Sequence, residues 1–330
     1  MQVIAHRGAS GHRPEHTLAA YRLAVRMDAD YIEPDLVPTR DGVLVARHEN
    51  EISATTDIAR RPEFAGRRTT KLVDGVMVSG WFTEDLTLAE LRTLRAVERL
   101  PGLRPANTRF DGWFRIPTFA EILDLAEREG ARRGRPVGVY PETKHPTYFA
   151  RLGLDTTALL LAELRRRGLD HPAAPVWVQS FEVGNLRRLA ETARVRLVQL
   201  VGATGAPYDL ICADPSPAGD GRTYADLASP AGLAEVASYA HAVGVAKELV
   251  HHRDATGRLG AATSLVADAH AVGLEVHAWT VRAEERFLPR GADVATELRA
   301  LHDAGVDGVF ADHPDLAVAV RDARVLSPAS

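Results

Sequence analysis

Short apolar runs and helical patterns alternate along nearly the whole chain. Segments rich in Val, Ile or Leu occupy 3–6, 31–37, 43–48, 137–142, 176–180, 196–201, 244–247, 274–280 and 307–311. Between them apolar residues recur at helical spacing, as Leu18, Tyr21 and Val25 do within 16–27, and again over 182–192 and 262–272. This alternation is the signature of repeated βα units around a parallel sheet. Arg40-Asp41-Gly42 is a tight-turn signal that folds 43–48 back antiparallel onto 31–37. Setting that segment aside leaves eight parallel strands, enough to close a TIM (β/α)8 barrel.

The rhythm breaks between about 50 and 117, where Arg60-Arg61, Arg67-Arg68, a Gly80-Trp81-Phe82 turn and several prolines interrupt it. This interval reads as an inserted subdomain over the C-terminal mouth of a single barrel domain spanning 1–330. Thr87 followed by Glu90 at the third position is a capping box, so at least one helix is expected there. A second irregular stretch, 202–228, is rich in Gly, Pro and Asp and reads as a long loop.

Composition narrows the class of function. At 330 residues, 45% hydrophobic and 25% charged, the chain has the balance of an ordinary globular protein, and disordered or collagen-like classes are excluded. A net charge of -4 lacks the basic excess that a nucleic-acid partner requires. The lone Cys212 allows neither an internal disulfide nor a thiolate metal site, and reads as a small buried hydrophobe. No run approaches the ~20 apolar residues of a membrane span. His6-Arg7-Gly8 stands where an export leader would still be apolar, so the expected location is cytoplasmic, or secreted with a leader already trimmed. The pattern carries no signal for oligomeric state.

Candidate chemistry gathers where barrel enzymes keep it, at the C-terminal ends of strands. The first strand ends in His6-Arg7-Gly8, the second carries Glu33 and Asp35, the hairpin return ends at His48-Glu49, and the next parallel strand ends in Glu142-Thr143-Lys144. Glu33 and Asp35 lie two apart on a strand and project to one face. Carboxylates so placed repel, which calls for a cation or a bound proton. With Glu142 they offer three oxygen ligands, a set suited to one divalent hard cation, Mg²⁺ or Ca²⁺, rather than zinc. Arg7 and Lys144 add positive charge beside them, so the site suits an anion that also touches the metal, and phosphate fits.

These residues resemble a known family. His6-Arg7-Gly8-Ala9-Ser10-Gly11, Pro14-Glu15-His16-Thr17, Glu33-Pro34-Asp35-Leu36, Thr39-Arg40-Asp41-Gly42, His48, Pro141-Glu142-Thr143-Lys144, Gln179-Ser180-Phe181, Trp279-Thr280 and Phe310-Ala311-Asp312-His313-Pro314-Asp315 together resemble the glycerophosphodiester phosphodiesterases. The insertion, with Gly80-Trp81-Phe82-Thr83-Glu84-Asp85, looks like that of the longer bacterial enzymes acting on deacylated phospholipids. The resemblance implies metal-dependent hydrolysis of a small-molecule glycerophosphodiester, such as glycerophosphocholine, to glycerol 3-phosphate and an alcohol. It implies that Glu33, Asp35 and Glu142 hold the cation, that His6 and His48 serve as general acid and base, and that Arg7 and Lys144 contact the phosphate.

Gln179 is placed to reach the phosphate or Lys144, and Trp279, with Phe181, to form an apolar wall for a glycerol backbone. The chain departs from the family at His16, where Asn is usual, and at Glu49, where the usual pair is His-Asp. Lys247 stands in a stretch that does not follow the family pattern. The three-carboxylate set by itself also suits another metal-dependent barrel enzyme, an isomerase or aldolase, and the fold alone suits a non-catalytic binding barrel.

Overall fold

A computed structural model describes residues 1–212 and 221–325. Its strands, in chain order, are β1 (Gln2–His6), β2 (Tyr31–Glu33), β3 (Asp35–Pro38), β4 (Leu44–Ala46), β5 (Thr69–Val73), β6 (Val76–Gly80), β7 (Gly138–Val139), β8 (Glu142–Thr143), β9 (Trp177–Ser180), β10 (Arg196–Val201), β11 (Ala242–Ala246), β12 (His251–Arg253), β13 (Leu259–Ala262), β14 (Glu275–Val281) and β15 (Gly308–Ala311).

β2 and β3 are two halves of one barrel strand, parted at Pro34, which has no N–H to give to a ladder. β7 and β8 are likewise halves parted at Tyr140-Pro141. β2 pairs with β7 and β3 with β8, all parallel. The ladder then runs through β9, β10, β11, β14 and β15 back to β1, which pairs with β2. Eight parallel strands thus close on themselves, and β4 returns antiparallel on β3 as the Arg40-Asp41-Gly42 turn requires.

All nine strands anticipated from the apolar runs are present, with boundaries shifted by a residue or two. Two exposed hairpins, β5–β6 and β12–β13, were not anticipated. The long loop expected over 202–228 contains short helices at Tyr208–Ile211 and Tyr224–Leu227, and its part 213–220 lies outside the described residues. Cys212 is half-buried rather than a core residue.

Alternation along the strands sorts the core into two layers. Val3 and Ala5, Val176 and Val178, Val243 and Val245, and Val309 and Ala311 face outward and pack against the helices. Ile4, Tyr140, Trp177, Val198, Ala242 and Phe310 face inward and fill the barrel. Each fully buried aliphatic side chain contributes about 1.5–3 kcal/mol. Continuing the inward positions by two residues brings His6, Glu142, Gln179 and Leu200 to the C-terminal mouth.

Helices are stopped and started locally. Thr17 caps Leu18–Arg26, and capping boxes of Thr87 with Glu90 and Thr118 with Glu121 open Leu88–Leu91 and Phe119–Arg133. Residues between β4 and β7 build a separate apolar cluster around Ile52, Ile58, Phe64, Phe82 and Leu91, which rests on Val37, Val45 and Phe149 of the barrel side. Among the described residues, no helix is long and apolar enough to cross a membrane.

Candidate active site

The first strand ends in a backbone turn that only part of the amino-acid alphabet tolerates. Arg7 adopts a left-handed conformation with φ 60°, and Gly8 follows at φ 83°. A Cβ on Gly8 would lie 2.7 Å from the backbone of Ala20, so glycine is required. The turn aims the Arg7 N–H at Glu33 Oε2, 2.7 Å away, and leaves His6 facing the barrel axis.

His6 Nδ1 donates to Asp312 Oδ1 at 2.6 Å, which leaves Nε2 free as an acceptor on the cavity side. Asp312 stands just beyond β15, the neighbour of β1, and also receives Arg282 at 3.0 Å and Arg104. Arg104 comes from the segment between β4 and β7 and is further tied to Glu284 and to the Ser10 carbonyl. Burial, with the Arg7 charge, outweighs Asp312 and pushes His6 down to about 4.

Glu33, Asp35 and Glu142 are buried, and one oxygen of each lies within 4.8 Å of the others. Pro34 parts β2 from β3, and the Pro34 carbonyl accepts the Glu142 N–H at 2.9 Å, which registers the two strands that carry the trio. Burial and the Asp35 charge hold Glu33 well above the usual carboxylate range. Burial, with Asp35 opposing Lys144, pushes Glu142 up to about 8. Burial would raise Asp35 too, but His48, His16, Lys144 and Arg7 outweigh it and hold it well below its ordinary value. Three carboxylates this close cannot all ionise without a cation.

The resident positive charges are already engaged. Arg7 reaches Asp35 at 3.2 Å and Glu15 at 3.2 Å, and Lys144 Nζ lies 2.9 Å from Glu142. Glu15 is also held by Arg99 at 2.8 Å. The all-oxygen, over-negative trio therefore fits a hard divalent cation, and the Gln179 amide donates to Glu33 beside it at 3.2 Å.

His48 lies at the same mouth with 31% of its side chain open, its Nδ1 2.7 Å from Glu49 Oε1. Enclosure by the mouth, together with Arg7 and Lys144, pushes it down to about 3. Glu49 also meets His145 Nε2 at 3.0 Å, and His145 Nδ1 meets Asp74 Oδ2 at 2.6 Å. Although burial opposes it, these two carboxylates raise His145 to about 9. A line of alternating charge thus runs from the β5–β6 turn to His48.

His16, also left-handed at φ 55°, stands behind the trio rather than in it. Its Nδ1 accepts from the Tyr21 hydroxyl at 2.7 Å, and its Nε2 donates to Asp35 at 2.9 Å, the task an amide would perform at this position. Burial keeps His16 below its ordinary pKa, which suits this neutral tautomer.

His6, Arg7, Glu33, His48, Glu142 and Gln179 line one cavity of about 270 Å³, with Trp279, Phe181, Leu200 and Phe310 as its apolar wall. Trp279 is fixed by its indole N–H to the Gly244 carbonyl at 2.9 Å and packs edge-on against Phe181 at 5.7 Å. Lys144 faces a neighbouring cavity instead. Lys247 does not join the site, since its ammonium pairs with Glu297 at 2.7 Å and the Phe287 carbonyl at 3.0 Å.

Asp312, Arg104, Arg282 and His145 went unassigned in the sequence. Asp312 carried a usable signal, because an acid just past the last barrel strand must sit beside the first. Arg104 carried none.

Two imidazoles, each oriented by a carboxylate through Nδ1, face a cavity that Glu33 and Glu142 of the acidic trio line, an arrangement able to move protons on both sides of a bound anion. The sequence profile described as the Glycerophosphoryl diester phosphodiesterase family matches residues 6–316. A glycerophosphodiester phosphodiesterase of Arabidopsis thaliana is 33% identical over 94% of this chain and 82% of its own length. Another from Haemophilus influenzae is 31% identical over 96% of this chain and 88% of its own. The fold is similar to that of an Oleispira antarctica phosphodiesterase solved with the product sn-glycerol-3-phosphate, with a TM-score of 0.65 and 22% identity over 98% of this chain and 97% of that one. On this match along nearly its whole length, the chain belongs to the glycerophosphoryl diester phosphodiesterase family.

Proposed function

We propose that this chain hydrolyses glycerophosphodiesters to glycerol 3-phosphate and an alcohol, as a single barrel domain over 1–330 with the insertion at about 50–117 above its mouth. The observation that carries the reading is the pair of carboxylate-oriented histidines, His6 and His48, facing one cavity with Glu33 and Glu142, which Asp35 joins in a buried trio of carboxylates. In this reading Glu33, Asp35 and Glu142 hold one divalent cation, Mg²⁺ or Ca²⁺. The cation supplies charge neutralisation of the diester and of the charge that grows on it during displacement.

The remaining roles belong to the chain's own groups. Arg7, fixed between Asp35 and Glu15, presents its remaining N–H groups to a phosphate oxygen. Lys144 approaches from the adjoining cavity, Gln179 bridges Glu33 and the substrate, and Trp279 covers the glycerol arm. In the free protein both histidines are neutral near pH 7, so either can take the proton from the nucleophile, whether a glycerol hydroxyl whose cyclic phosphate water then opens or water itself. A diester anion placed between them raises their proton affinity, which lets the second ring carry the proton that the leaving alkoxide needs.

The test is release of glycerol 3-phosphate from glycerophosphocholine and glycerophosphoethanolamine by protein stripped with a chelator, then supplied separately with Mg²⁺ or Ca²⁺. Release that returns with metal and is absent from His6→Ala and Glu142→Ala supports every assignment together. Metal-independent release, or full release from His6→Ala, overturns the mechanism.

A further inference from the structure

A phosphodiester has two organic arms, and the structure has two cavities that meet at its acidic trio. The first, about 270 Å³, holds His6, Arg7 and His48 against Trp279. The second, about 350 Å³, is lined by Lys144, Glu182, Tyr208 and Tyr224. Glu142 and Phe181 belong to both, so a group held at Glu142 can extend one arm into each. Trp279, Phe181 and the paired histidines suit the glycerol phosphate arm in the first. The second is left for the leaving alcohol.

Its walls have a definite chemistry. Phe181 and Tyr224 pack edge-to-face at 5.9 Å and both line the space, with the Lys144 ammonium 5.7 Å from the Phe181 ring centroid. Glu182 is buried, and its carboxylate accepts the Thr147 N–H at 3.1 and 3.2 Å and the Thr147 hydroxyl, all uncharged donors. No Lys, Arg or His among the described residues forms an ion pair with it. The other charged groups at this cavity are paired, Lys144 with Glu142 and Asp74 with His145. Burial and the nearby Asp209 push Glu182 up to about 8, as no cation offsets them. Of the insertion's described residues, Asp74 alone lines this space.

We infer that the second cavity is the subsite for the leaving alcohol and selects alcohols that carry an ammonium group, held by Glu182 and the rings of Phe181 and Tyr224. A buried carboxylate beside aromatic rings is the recognition chemistry of quaternary and primary ammonium ions. The inference rests on the diesterase reading above, but a ligand-binding arm tests it without turnover.

Two measurements decide it. The first is kcat/KM for glycerophosphocholine against glycerophosphoglycerol, whose leaving alcohol is neutral. The wild-type chain is expected to favour the choline diester about ten-fold, and Glu182→Gln, whose amide oxygen still accepts from Thr147, to bring the ratio close to one. The second is calorimetric titration with choline chloride and, separately, glycerol. Choline is expected to bind the wild type at least about ten-fold more tightly than glycerol, with that advantage absent from Glu182→Gln. Equal losses on both diesters, or choline binding untouched by Glu182→Gln, overturn the subsite. Should no diester be cleaved at all, the diesterase reading fails, and the choline titration alone supports or overturns the subsite.

Discussion

The same barrel buries polar groups at two levels, and the two behave oppositely. In the middle layer, the Tyr140 hydroxyl donates to His277 Nδ1 at 2.6 Å while His277 Nε2 faces Glu275 at 3.2 Å. Tyr140 also packs against Trp177 and Phe310 at 6.0 and 5.1 Å. Every donor of that pair meets an acceptor, and of the aromatic residues in this layer only the Trp177 indole N–H goes without one among the described residues. At the mouth, Glu142, two residues beyond Tyr140, crowds together with Glu33 and Asp35 of the neighbouring strand, their charges unbalanced. A histidine satisfied by its neighbours is packing. A set of groups that the fold leaves electrostatically unfinished waits for something from solution.

The sharpest way to break this contrast is to exchange the histidine at the mouth. His6→Gln is expected to lower kcat/KM by about 10²–10⁴ with little change in melting temperature, the range for loss of a proton-transfer group. Steady-state kinetics beside a thermal melt check it, and a loss under ten-fold removes His6 from the chemistry.

Next comes the charge imbalance itself. Glu142 has its folded pKa raised to about 8, so its proton stabilises the metal-free fold fully below the ordinary carboxylate pKa, and that contribution is lost as pH rises through about 8. Metal-free protein should therefore lose stability between about pH 5 and about pH 8.5, and Glu142→Gln should flatten that slope. Added Mg²⁺ or Ca²⁺ should raise the melting temperature of the wild type and leave Glu142→Gln unmoved. Denaturant melts across pH would contradict the trio's role if both proteins trace the same curve.

The middle layer should respond in stability and not in rate. Tyr140→Phe strands the His277 Nδ1 lone pair and is expected to cost about 1–3 kcal/mol, with kcat/KM within about two-fold. A large kinetic effect from this substitution would mean the two layers are coupled.

The smallest effect is expected at the rim. His145 is raised to about 9 by Asp74 and Glu49, so its ion pairs stabilise the fold fully below the ordinary histidine pKa and are lost as pH climbs through about 9. The stability difference between wild type and His145→Gln should be under about 1 kcal/mol near pH 6 and fade toward pH 10. A difference that grows with pH would have the wrong sign for this pairing.

Much of the fold was legible because barrel strands advertise themselves. Apolar runs are continuous where both faces are buried, and all eight barrel strands and the β4 return carry them. β5 and β6 do not, since their burial is confined to Val73 and Gly80 at the ends, and a ribbon exposed on both faces has no hydrophobic period to read. At the site, the E-x-D spacing of Glu33 and Asp35 was readable because side-chain direction repeats every two residues even across Pro34. The line from His48 through Glu49 and His145 to Asp74 was not, because it joins positions 96 and 71 residues apart that meet only when the hairpin folds over the mouth.

By itself, then, the order of residues determined the eight-strand barrel, the mouth as the place of the candidate site, and the kinds of groups that reach it, since each of these follows from local periodicity. The tertiary structure alone decided which groups are balanced and which are not. Arg104 arrives at Asp312 from 208 residues away, His16 turns behind Asp35 rather than into the cavity, and Glu182 is buried with neutral donors only. Charge balance is a sum over neighbours in space, and the sequence does not list those neighbours until the barrel closes.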